Sequence, residues 1–312
     1  MILDGGLREF IRRADAVFPP DYLSQPPARQ REMYRDLCRA FDRPRPAGLT
    51  IEERSVPAGG HEVPIRIYRP EGPAPQACLL YMHGGGWVLG DLDSHDGVTA
   101  ELAAEAGITV IAVDYRLAPE HPYPAAFEDS AAVLDRVAAD AENFGIDRAR
   151  LGVGGDSAGG NLAAALCLRA RARGGPALRA QVLVYPELGH GMTEAGRTKA
   201  RDAPLLSQDE MDYYARAYLG PSGRTDDPYA APLLAEDFAG LPPAYVQAVE
   251  YDPLRLDAEA YAASLTEAGV AAQLEVAPGL VHGYMRARFI SAAAGRAFDN
   301  LCAAARRLLA AD

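Results

Sequence analysis

Two hydrophobic rhythms alternate along the chain. Short, nearly unbroken apolar runs recur as ACLLYMH (residues 77–83), ITVIAVDY (108–115), RLGVGG (150–155), AQVLVYP (180–186), AYVQAVE (244–250) and QLEVA (273–277). Between them lie longer stretches, over 96–106, 124–143, 158–172, 255–268 and 290–310, with helical spacing. Apolar runs of strand length without polar alternation predict strands buried on both faces. Helices between them predict a mostly parallel central sheet flanked by helices on each side, an α/β fold.

The flanking segments read differently. Leu3, Leu7, Phe10, Ile11 and Ala14 lie at helical spacing, and Met33, Leu37, Ala40 and Phe41 repeat the pattern. FPPDYLSQPP separates the two, so residues 1–45 are expected to form a helical pair broken by prolines. RSVPAGGHEVPIRIYRP (54–70) predicts a hairpin turning at Gly59-Gly60. The longest gap between strands, 187 to about 221, reads as an insertion carrying its own helix, SQDEMDYYARAYLG. One catalytic domain over 46–312 is expected, with that insertion inside it.

Composition removes several function classes. A net charge of −12 with no long basic run argues against nucleic-acid binding. No apolar run approaches the roughly 20 residues that span a bilayer. The opening MILDGGLREFIRRADAVF is broken by charge throughout, unlike a secretory leader. Cys38, Cys78, Cys167 and Cys302 are far apart without CxxC spacing, which predicts reduced, packed thiols and a cytoplasmic setting.

The chemistry gathers around LGVGGDSAGGNLAAALCL (151–168), where a strand pattern becomes a helix pattern at one serine. Gly155 and Gly159 flank Ser157 in G-x-S-x-G spacing, which projects a hydroxyl from a sharp turn with a helix N-terminus behind it. A dinucleotide loop would need glycine where Ser157 stands, and a phosphate loop would need Gly-Lys-Ser/Thr. A passive serine on a tight turn is the plain alternative. Upstream, a strand runs into His83-Gly84-Gly85-Gly86-Trp87, a loop suited to aim backbone amides at a developing oxyanion. The amide of Ala158, next to the serine, is a further donor.

The serine needs a base and an acid, which follow it in the order Ser, acid, His. His61, His83, His95 and His121 precede Ser157, and His190 lies in the insertion, which leaves His282 after QLEVA. Asp252, past the end of AYVQAVE and stiffened by Pro253, is favoured as the acid, with Glu250 as the alternative. DLDSHD (91–96), Asp156, Arg116 and Glu120 read as structural polar groups, and no metal site or organic cofactor is called for. Trp87 and Tyr284 are candidates for the substrate pocket, while Tyr213, Tyr214 and Tyr218 read as helix packing.

The ordered set HGGGWVLGDLDSHD, DYRLAPEHPYPAAFED, GDSAGGNLAAA, EYDPLR and HGY, spanning about residues 60 to 290, resembles the hormone-sensitive-lipase-like family of α/β-hydrolases. The resemblance implies a nucleophile at Ser157, an acid at Asp252 and a base at His282. It implies oxyanion amides from Gly84, Gly85 and Ala158, and a cap made of the N-terminal helices and the insertion. It implies a serine carboxylesterase acting on small-molecule esters with short- to medium-chain acyl groups, and pairing of two copies through an edge strand. An amidase or arylformamidase, or a non-catalytic small-molecule binder of the same fold, are the other readings. This chain has Leu256-Asp257-Ala258 where the family usually has Asp-Glu-Gly.

Overall fold

A computed structural model describes residues 1–189 and 203–310. His190 and the middle of the insertion lie outside the described residues. Among the described residues eight strands form one sheet: β1 Leu49–Ala58, β2 His61–Pro70, β3 Gln76–Met82, β4 Thr109–Val113, β5 Ile146–Asp156, β6 Gln181–Val184, β7 Ala244–Tyr251 and β8 Ala272–Val281. Their spatial order is β1-β2-β4-β3-β5-β6-β7-β8. From β4 to β8 every pairing is parallel, and the β1–β2 hairpin adds antiparallel strands at one edge. The inner strands β3, β4 and β6 are buried at every position, which explains why they read as continuous apolar runs.

Among the described residues there are eight α-helices: α1 Gly5–Val17, α2 Pro27–Arg39, α3 Asp96–Ala106, α4 Ala125–Ala139, α5 Ala158–Ala172, α6 Gln208–Leu219, α7 Arg255–Glu267 and α8 Ala292–Leu309. Helices α4, α5 and α7 pack with one face of the sheet, and α1, α2, α3 and α8 with the other. α5 is buried nearly all round, and its alanines let it lie close to the strands it crosses. α8 instead buries Ala294, Ala297, Phe298, Leu301, Ala305 and Leu309, a single stripe at helical spacing. No helix among the described residues is long and apolar enough to cross a membrane.

Local chemistry sets the helix starts. Asp4 accepts the Leu7 amide at 2.8 Å and the Ser291 hydroxyl at 2.7 Å, while Ser291 itself caps α8. One carboxylate thus ties the first and last helices together, each cap contributing about 1 kcal/mol. α6 opens with a reciprocal capping box between Ser207 and Glu210. The structure extends two expected strands: β1 begins at Leu49, because its half-polar ladder pairs down to Pro70, and β5 begins at Ile146, opposite Gln76. The expected helix over 124–143 ends at Ala139, and Asp140 forms its C-cap.

Candidate active site

Strand register brings distant residues to one edge. Met82 lies opposite Gly155 in the β3–β5 pair, so the strands end together and the HGGG loop faces the Ser157 turn. Tyr251 lies opposite Val281 in the β7–β8 pair, which sets Asp252 beside His282 just beyond both strand ends. The chain switches from one side of β3 to the other between β4 and β5, and ligands characteristically bind at such a switch point.

Ser157 occupies the N-cap position of α5 with φ 55° and ψ −119°, a conformation that costs a side chain about 1–3 kcal/mol. The neighbouring backbone enforces it. A Cβ at Gly159 would stand 2.0 Å from the Met82 carbonyl oxygen, and one at Gly155 would stand 2.4 Å from the same atom. The serine hydroxyl is therefore held out at the strand end, above the positive end of the α5 dipole.

The structure brings the serine, histidine and aspartate together. His282 Nε2 lies 3.0 Å from Ser157 Oγ, and Nδ1 lies 2.8 Å from Asp252 Oδ2. The second oxygen of Asp252 accepts the Leu254 amide at 2.8 Å, which fixes the carboxylate's orientation. Glu250 is turned elsewhere and accepts the Gly279 amide at 2.7 Å. Burial pulls the His282 pKa down, but the charge and hydrogen bond of Asp252 outweigh it, and the net shift is upward. Such a chain can take a proton from the hydroxyl and hold the resulting imidazolium.

The expected oxyanion donors need one correction. The Gly84 amide donates to Asp156 Oδ1 at 3.0 Å, so it is not turned toward the serine. Asp156 is a buried carboxylate that must collect donors; it takes this amide and the Tyr81 hydroxyl at 2.7 Å. Gly85, Gly86 and Ala158 border the cavity above Ser157, and the amides of Gly85 and Gly86 have no acceptor among the described residues. Sequence reasoning missed Gly86, whose α-carbon faces the ring of Tyr214 so closely that a Cβ would stand 2.3 Å from it.

That cavity has a volume of about 550 Å³. Phe10 and Phe18 from the α1 region, Leu37 from α2 and Tyr214 from α6 contribute to its wall. Trp87 borders it and also stacks on Tyr218 at 4.2 Å between ring centroids, so it is both wall and packing. Tyr284, expected at the pocket, is fully buried elsewhere: its hydroxyl donates to Gln247 and its ring meets Tyr185 edge-on. Gly283, at φ 72°, reverses the chain after His282 and sends Tyr284 into the core.

The other polar groups that stand out in the sequence are held in contacts with one another or with the backbone. His83 is stacked on Tyr115, and burial beside His95 pushes its pKa down to about 4, so it is neutral at physiological pH. In the DLDSHD segment Asp93 and Asp96 pair with Arg66, and Asp91 pairs with Arg35. Arg116 pairs with Asp129 at 2.8 Å and Glu120 with Arg31 at 2.6 Å. Asp257 accepts the Leu188 amide at 2.7 Å, which ties α7 to the start of the insertion. No group of three metal-ligating side chains occurs among the described residues.

Comparison with known proteins bears on the fold and the class of activity. A family model described as the alpha/beta hydrolase fold matches residues 79–286. Carboxylesterase NlhH of Mycobacterium tuberculosis is 42% identical over 266 residues, covering 84% of this chain and 83% of that protein. An ethyl acetate hydrolase of Pseudomonas putida is 40% identical over 231 residues, 73% of each chain. Among solved structures, a hyperthermophilic esterase from the archaeon Pyrobaculum calidifontis superposes with a TM-score of 0.91 at 34% identity, covering 99% of this chain and 100% of that one.

Proposed function

Because the chain belongs to the α/β-hydrolase family and is a carboxylic ester hydrolase, we propose that Ser157, His282 and Asp252 carry its reaction through an acyl-enzyme. His282 Nε2 takes the hydroxyl proton as Ser157 Oγ attacks the ester carbonyl. The amides of Gly85, Gly86 and Ala158 receive the oxyanion, in place of the Gly84 amide that Asp156 occupies. Removing one such donor typically costs about 2.7–4 kcal/mol of barrier stabilisation. His282 then passes its proton to the departing alcohol, and water, activated by the same imidazole, releases the acid. The observation that carries this reading is the pair of contacts on His282, 3.0 Å to Ser157 and 2.8 Å to Asp252.

The apolar wall from α1, α2 and α6 supports short- to medium-chain acyl esters as substrates, and it supports a cap made of residues 1–45 and the described parts of the insertion over 187–221. β8 ends the sheet with Leu274 exposed, which favours pairing of two copies along that edge. Four buried free thiols fit a reducing, cytoplasmic setting.

A fluorophosphonate probe is expected to label Ser157 stoichiometrically, read by mass spectrometry of the modified peptide. Matched ester and amide pairs with the same acyl group are expected to show faster turnover of the ester. An unlabelled Ser157 would point to a non-catalytic binder, and faster amide turnover to an amidase.

The raised His282 pKa has a kinetic signature. The base must be neutral, so activity rises as pH climbs through the pKa of His282. The acid limb of kcat/KM is therefore expected to have its midpoint above 6.5, the ordinary histidine value. A midpoint below 6.5 would mean that burial, rather than Asp252, dominates the imidazole.

A further inference from the structure

The cavity wall holds a cation that acyl transfer does not use. Arg286 stands in the short helical turn Tyr284–Ala287 after His282, is 7% exposed, and borders the same cavity as Ser157. Its one side-chain hydrogen bond among the described residues is a long contact, 3.5 Å from Nη2 to the Tyr34 hydroxyl. Nη1 is buried and has no partner among the described residues. No carboxylate among the described residues forms an ion pair with it. Asp42 and Asp156 feel its charge without pairing with it, and Asp156 is already engaged by Tyr81, Gly84 and, at 3.5 Å, His95.

A buried guanidinium without a counter-ion is costly. It is also well shaped to hold a carboxylate through two parallel hydrogen bonds. We infer that Arg286 selects esters bearing a second, ionised carboxylate, holding that group at the wall while the ester carbonyl sits on Ser157. The inference rests on the hydrolase reading above. The carboxylate is a spectator: water cleaves the acyl–oxygen bond, giving the dicarboxylate and an alcohol when the charge is on the acyl side, or a simple acid and a hydroxy acid when it is on the alcohol side. Away from Arg286 the wall carries Asp15, Glu187, Asp209, Glu210 and Asp212 against Arg216 and Arg224, so a preference for an anionic group belongs to the Arg286 end alone.

Two substrate pairs test it in the full chain: monoethyl adipate against ethyl hexanoate, and an ω-acetoxy carboxylate against hexyl acetate, each followed by acid release. One charged member is expected to reach at least the kcat/KM of its neutral partner, and which pair does so tells which side carries the charge. In Arg286→Met the charged-to-neutral ratio is expected to fall at least tenfold, with partial recovery in Arg286→Lys. Adipate is also expected to inhibit wild-type hydrolysis of ethyl acetate competitively and more strongly than hexanoate, a measurement that needs no variant. The inference is overturned if both charged esters are poor while neutral ones turn over. An Arg286→Met protein that loses thermal stability at an unchanged ratio overturns it too, since Arg286 would then serve only as a counter-ion for Asp156. Failure to hydrolyse any ester, neutral ones included, would instead sink the Ser157 assignment.

Discussion

Replacing Ser157 with alanine is expected to lower kcat on a short acyl ester by about 10⁶-fold, the scale on which nucleophile removal acts in serine hydrolases. Stability should barely move. Alanine keeps the Cβ that the strained φ of 55° already accommodates, and only the 3.0 Å contact to His282 is lost. A thermal melt beside the assay separates the two effects. Ser157→Gly provides the complementary reading: it loses the same activity but relieves the left-handed strain, so its Tm should rise above that of the alanine variant. Turnover by Ser157→Ala within tenfold of wild type would transfer the nucleophile's role to another group.

The sequence was most informative where one physical requirement acted on neighbouring residues. Strands β3, β4 and β6 announce themselves because burial on both faces leaves no room for polar alternation. The Ser157 turn is legible because the Met82 carbonyl excludes any Cβ at Gly155 and Gly159. Asp252 could be favoured over Glu250 because a residue past the strand end is free to face the next strand's loop. What stayed hidden depended on partners far along the chain. HGGG presents three similar glycines, and Asp156, 72 residues beyond Gly84, decides which amide is taken. Tyr284 is two residues from His282 in sequence, yet the reversal at Gly283 between them sends it into the core. Arg286 gave no periodic or motif signal, because its position is fixed by that same turn rather than by a repeating pattern.

The acid offers the second large effect, through tautomer rather than charge alone. Asp252→Asn is expected to lower kcat by about 10⁴-fold. The Asp252 side chain is fully buried, with one oxygen on the Leu254 amide and the other on His282 Nδ1. An asparagine in this place keeps its carbonyl oxygen for Leu254 and turns its NH₂ toward Nδ1. That nitrogen must then accept, which drives the imidazole proton onto Nε2, where it faces Ser157 and blocks proton uptake. The residual activity should also show its acid limb at lower pH than wild type, because burial, which depresses the His282 pKa, is no longer opposed by a carboxylate. Glu250→Gln is the internal control: its oxygen still accepts the Gly279 amide, and kcat should stay within about threefold. If Glu250→Gln collapses activity while Asp252→Asn keeps kcat within tenfold, the acid has been misplaced by two residues, and the imidazole must reorient during the reaction to reach it.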